Sequence, residues 1–211
     1  MKTFENLPLD KQNRILEAAY KEFAHEGYEK ASTNRIVKEA EIGKGMLFYY
    51  FNNKENLFHY LINYGLDFVE KEYLEKIKLS EIDFLEKYKQ VAILKLKAYY
   101  KRPYIFHFFG TFYINKEVKL PKILEDRLEE LKKQAYALLF DHVDNAYFRE
   151  DIEPNLIYQM IHWTMDGYEK KLLEELKGKK LDEIDLVPYY EDFYNLIDTL
   201  KKLYYKSGGN R

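Results

Sequence analysis

Apolar residues recur three and four positions apart along nearly the whole chain, and no stretch alternates apolar with polar residues for long enough to make a strand. A sequence with that one period must bury helix stripes against other helices, so the expected fold class is all-α. Proline marks the seams. Pro8, Pro103, Pro121, Pro154 and Pro188 each stand near the start of a helical pattern, where a missing N–H costs nothing. The spacing predicts helices over about 9–26, 32–40, 44–51, 53–77, 82–101, 103–115, 121–147, 154–177 and 188–206.

Size and charge narrow the function classes. At 211 residues the chain is long enough for a small domain joined to a larger one, and a balance of 46% hydrophobic to 33% charged residues fits a folded protein rather than a disordered one. There is no cysteine, so neither a disulfide scaffold nor a Cys-based zinc site is available, which suits a cytoplasmic location. The opening MKTFENLPLDKQNR lacks the apolar core of a signal peptide, and charges interrupt every apolar run, so no membrane role is expected. The five histidines (His25, His59, His107, His142, His162) have no paired metal-ligand spacing, and the sequence has no phosphate loop or nucleophile elbow. These features point away from an enzyme, and neither a cofactor nor a metal is expected.

The net charge is −2 overall, yet between Lys30 and Lys54 five basic residues (Lys30, Arg35, Lys38, Lys44, Lys54) meet two acids (Glu39, Glu41), a local 5 − 2 = +3. Within this basic stretch two short helical patterns flank a tight turn. Ser32 is placed to cap the first, whose inward face is Ile36, Val37 and Ala40; in the second, Leu47 and Phe51 lie one turn apart and can face inward with Ile42. Three consecutive rings, Phe48, Tyr49 and Tyr50, span about 200° of a helix and cannot all enter one core. Two short helices braced by a longer one describe a helix-turn-helix, whose second helix enters the major groove by its leading end. Lys44, Gly45, Met46, Phe48, Tyr49 and Tyr50 are then left to meet DNA, through cation, close backbone approach, thymine-methyl contact and phenol-to-phosphate bonds, and Lys54 is placed to clamp a phosphate.

From Phe23 to Phe58, and above all in Ile36-Val37, Ala40, Ile42, Lys44-Gly45, Leu47, Tyr50-Phe51, Lys54 and Leu57, the sequence resembles the DNA-binding domain of TetR/AcrR-type transcriptional regulators. The resemblance implies an all-α homodimer, with a three-helix reader in residues 1–52 and a divergent ligand-binding and dimerisation domain in 53–206; the tail SGGNR at 207–211 is expected to be loose from its own composition. It also implies repression of a double-stranded operator relieved by a small-molecule effector, and it adds Thr33 and Asn34 to the DNA contacts. Ala40-Glu41-Ile42-Gly43 departs from the family's usual Ala-Gly-Val-Ser, so Gly43 replaces a serine cap; Met46 and Phe48 stand where threonine and tyrosine are common.

The larger part carries "YIFHFFGTFYI" at 104–114, apolar on nearly every side and hence central. Phe106, Phe109 and Phe112 from it, with Tyr136, Phe140, Tyr158, His162, Trp163 and Asp166, are candidate walls for a flat or lipophilic ligand, the acid favouring a cation; the same rings equally suit a filled core. Two apolar stripes on the last helix suggest a partner as well as a core. The expected twofold contact uses Tyr190, Ile197 and Tyr204 there, with Ile157, Ile161, Thr164, Gly167 and Tyr168 on the helix before it. The rival reading is a helical protein–protein adaptor that shares the bundle without binding DNA.

Overall fold

A computed structural model describes residues 4–77, 83–115, 118–140, 143–176, 179 and 183–206, and among them lie nine α-helices and no strand. In chain order they are α1 (Leu9–Lys30), α2 (Thr33–Glu39), α3 (Lys44–Phe51), α4 (Lys54–Glu72), α5 (Phe84–Lys101), α6 (Pro103–Asn115), α7 (Lys122–Phe140), α8 (Pro154–Leu176) and α9 (Val187–Tyr204). The all-α expectation holds, and residues 207–211 lie outside the described residues. Two expected helices are shorter than the period suggested. The pattern from 53 gives way at Tyr73 (φ −126°) to a 3-10 turn at Leu74–Lys76, and the pattern from 121 ends at Phe140, with a second 3-10 turn at Asn145–Tyr147 capped by Asp144.

Helix α1 lays Ile15, Ala19 and Phe23 inward as their spacing requires, and its regular run breaks at Gly27, whose φ of 69° is open to glycine and strained for other residues. One final turn carries the chain on to Lys30. The same stripe serves two neighbours. Against α6, the Tyr20 and Phe108 rings meet at 5.2 Å and Thr111 Oγ1 donates to the Ala24 carbonyl at 2.8 Å. Against α4, the Tyr20 hydroxyl donates to the Leu61 carbonyl at 2.6 Å, and Phe58 packs on both Phe23 and Phe108. Gly65 allows this approach: a Cβ there would lie 2.6 Å from Phe109 Cε2. A single core therefore runs from Phe4 through α1–α4 into α6 and α7, and the expected boundary at residue 52 is a turn in the chain, not a gap in the packing.

A second core gathers Phe84 and Leu85 of α5, Phe148, Ile157, Ile161 and Met165 of the α8 region, and Ile197 and Leu200 of α9. Its polar edge is Asp83, which caps α5 by accepting from the N–H groups of Leu85 and Glu86 and receives Lys201 Nζ of α9 at 2.9 Å together with the Tyr205 hydroxyl. Burial raises the Asp83 pKa, but these hydrogen bonds outweigh it and leave the carboxyl below its ordinary range.

Candidate nucleic-acid interface

The turn between α2 and α3 is a Schellman motif. The Ile42 N–H reaches back to the Val37 carbonyl at 3.0 Å and the Glu41 N–H to the Lys38 carbonyl at 3.2 Å, which places Glu41 at the left-handed position, with φ 53°. Ile42 then packs on the core beside Val37, and Gly43, extended at φ −72° and ψ 144°, caps α3 through its carbonyl, which accepts from the Met46 N–H. The Ser32 cap expected for α2 does not form. Ser32 instead donates its backbone N–H to Glu22 Oε1 at 2.7 Å, and the same carboxylate holds Arg35, so a residue of α1 ties down the start of α2. Glu22 is legible only in three dimensions, since ten residues separate it from Ser32.

On α3, Leu47 and Phe51 are buried, whereas Lys44, Gly45 and Tyr49 are exposed and Met46, Phe48 and Tyr50 half-buried. Tyr49 is 67% exposed, and among the described residues the Lys44 amine has no partner. Tyr50 leans on a residue that sequence reasoning missed. Phe4, fully buried, inserts under the helix with its ring 5.7 Å from Tyr50, 4.9 Å from Phe51 and 5.4 Å from Tyr60 of α4. Asn34 at the start of α2 is exposed and Thr33 half-buried beside it, so the two leading ends open toward solvent together. Lys54 behaves differently from the rest: its amine donates to the carbonyls of Tyr28, Glu29 and Ala31 and sits 4.6 Å from the centroid of the Tyr28 ring.

The candidate ligand residues do not line one space. Phe106, Phe109 and Phe112 pack around α4: Phe106 lies against Phe68 and Tyr99, Phe109 against Gly65, and Phe112 against Phe58. The void beside Phe58, Phe108 and Phe112 is only about 10 Å³, room for a single water. The other set gathers between α5, α7 and α8. Tyr136 lies 4.6 Å from Phe140 and 5.1 Å from His162, Phe140 and Tyr158 flank Phe84, and His162 pairs with Asp166 at 3.5 Å. Tyr88 joins them; burial, then Tyr136 and Asp166, push its phenol far up, and burial lifts Tyr158 to about 12. Trp163 does not belong to this wall, because it points outward with 60% of its surface exposed.

Three of the expected partner-facing residues are also corrected. Ile157, Ile161 and Ile197 have no exposed surface, since they form the second core within the subunit. The Thr164 hydroxyl is turned back onto the Met160 carbonyl, and Tyr168, half-buried, donates to the Tyr189 carbonyl of α9. Tyr190 and Tyr204 are half-buried as well. The stripe of α8 left open is Leu156, Met160, Trp163 and Gly167, spaced four, three and four apart, with Leu203 of α9 also exposed.

The sequence model of a family described as bacterial regulatory proteins, tetR family, matches residues 15–61. An HTH-type transcriptional regulator of Staphylococcus aureus (strain USA300) is 28% identical over 155 residues, covering 63% of this chain and 84% of its own; another, from strain MRSA252, is 45% identical over 58 residues, 28% of this chain and 31% of its own. A TetR family transcriptional regulator from Chloroflexus aurantiacus J-10-FL shares the fold at a TM-score of 0.64 with 20% identity, covering 98% of this chain and 99% of its own. Among the described residues no helix is long and apolar enough to cross a membrane.

Glu41 generates a stability prediction. A side chain in the left-handed region costs about 1 kcal/mol, whereas its exposed bridge to Arg14, at 2.9 Å, returns about 0.3 kcal/mol. Glu41→Gly is therefore expected to stabilise the chain by about 0.7 kcal/mol, read as a higher urea midpoint at unchanged slope; a lower midpoint would show that the ion pair outweighs the strain.

Proposed function

We propose that this chain is a DNA-binding transcriptional regulator of the TetR family, a homodimeric repressor that grips a palindromic operator and lets go when a small lipophilic or aromatic effector binds. The observation that carries the DNA-binding part is the propped α3: Leu47 and Phe51 are sealed in the core while Lys44, Gly45 and Tyr49 at its leading end and flank stay open. The cation, the exposed ring and the open backbone supply phosphate attraction, base-edge contact and close approach respectively. A cytoplasmic location follows from the target.

The dimer reading rests on the open stripe of α8. A 4-3-4 run of large apolar residues ending at a glycine suits a helix crossing, and two subunits so joined present two α3 helices related by a twofold axis. The effector reading rests on Tyr88, Tyr136, Phe140, Tyr158 and His162 with Asp166, a set of ring faces beside one carboxylate that favours a flat cation.

Selection of bound sequences from random duplex DNA, followed by titration at several salt concentrations, is expected to yield a palindromic consensus and a steeply falling affinity with salt; absent or salt-independent binding would move the assignment to a protein–protein adaptor. Trp163→Asp places a charge in the α8 stripe, and light scattering is expected to show a folded monomer with at least about tenfold weaker operator binding; a dimer that survives intact would remove α8 from the interface. In thermal-shift measurements, lipophilic aromatic cations are expected to raise the Tm by several degrees, as about 100 Kd of ligand contributes about 2.7 kcal/mol, and an Asp166→Asn variant should lose that rise. No shift with any aromatic cation would mean that the rings are plain core.

A further inference from the structure

We infer that Lys54 is a positioning residue for the reader, a cationic staple that fixes the α1–α2 turn to the α3–α4 turn, and not a phosphate contact. This deepens the DNA-binding reading and rests on it. The ammonium of a lysine has three donors, and here three backbone carbonyls take them: Tyr28 at 2.8 Å, Glu29 at 3.2 Å and Ala31 at 3.3 Å. All three belong to the last turn of α1 and the link into α2, beyond the break at Gly27. A cation placed there is favoured by hydrogen bonding to all three carbonyls.

The staple has a fixed platform. The Tyr28 ring lies 4.6 Å beneath the ammonium and is itself held between Phe23 of α1, 6.2 Å away, and Phe58 of α4, 5.1 Å away. At its other end Lys54 is the first residue of α4, directly after Asn52 and Asn53; Asn52 closes α3 at φ 63°, and the Asn53 side chain caps α4 by accepting from the Asn56 N–H. One side chain thus joins the segment that leads into Thr33 and Asn34 to the segment that ends the reader helix. Shifting either segment turns the face that carries Lys44 and Tyr49. To reach a phosphate, the amine would have to abandon its carbonyls, whereas Lys44 has no bond to give up among the described residues.

The test compares wild type, Lys54→Met and Lys44→Met, each as the full chain, on the duplex recovered by selection, with helicity at the assay temperature confirming equal folded fractions. Lys54→Met is expected to raise Kd about tenfold with the slope of log affinity against log salt unchanged, and Lys44→Met to make that slope shallower by about 0.9, the release that accompanies one lost phosphate contact. A slope reduced by about 0.9 in Lys54→Met, or an unchanged Kd, would overturn the proposal. Acetylation of the free wild-type protein, followed residue by residue by mass spectrometry, covers the case in which Lys54→Met does not fold. Lys54 should react at least about tenfold more slowly than Lys44 because its ammonium is engaged; equal rates would refute the staple. If the wild type binds no duplex at all, the DNA-binding reading fails, and the acetylation contrast still decides whether the staple exists.

Discussion

The structure depends on the apolar stripe of α1 being shared between two neighbours. Ile15, Ala19, Tyr20, Phe23 and Ala24 face α4 and α6 at once, and the ring cluster of Tyr20, Phe23, Phe58 and Phe108 closes where the three helices meet. Burial of rings of this size, at about 25 cal/mol per Å² of apolar surface, makes the junction one of the most strongly held places in the chain. Polar links then fix its register: Tyr20 to the Leu61 carbonyl, Thr111 to the Ala24 carbonyl and Arg102 to Asn13. A helix-turn-helix of fifty residues would be marginal alone; this one borrows its core from α6.

That sharing explains how a short α3 can present its end rather than its side. Eight residues supply too few hydrogen bonds to hold a helix by themselves. Leu47 and Phe51 anchor it from below, Phe4 wedges in from the N-terminal segment, and the Schellman turn with Glu41 sets its entry angle. The turn holds a residue that resists the left-handed conformation, so the surrounding packing dictates the backbone at Glu41. Local preference loses to tertiary constraint at that position.

The period of the sequence was enough to identify the helices, and the residue types in 30–54 were enough to find the reader and its outward face. What the sequence could not resolve were choices that depend on neighbours distant along the chain. Ile157 and Ile161 form one stripe of α8 and Leu156, Met160 and Trp163 another about 100° away; both are apolar, and which one turns inward is settled by Phe84, Phe148 and Leu200 across the second core. The same ambiguity divided the candidate ligand rings, since hydrophobicity alone does not say whether Phe109 meets Gly65 or a cavity. Ser32 looked like a cap because capping is usually local, yet Glu22 reached it first. Lys54 reads as a phosphate ligand from the basic stretch it lies in, whereas its ammonium donates to the Tyr28, Glu29 and Ala31 carbonyls, partners that local spacing does not reveal.

The contacts around α3 differ in how firmly they are held. Around Gly65 the trio of α1, α4 and α6 packs closely, a Cβ there lying 2.6 Å from Phe109 Cε2, and the three helices share one core with α2 and α3. The softer connections lie farther out. Arg127 of α7 reaches α4 through Asn63 at 2.6 Å, Asp67 at 2.5 Å and Glu70 at 3.2 Å, all near the surface, and such exposed pairs each contribute little and exchange readily with water. Beneath those bridges Leu124, Leu128 and Leu131 of α7 are buried in the same core as Leu61, Ile62 and Leu66 of α4, so apolar packing and not the ion pairs holds the two helices together.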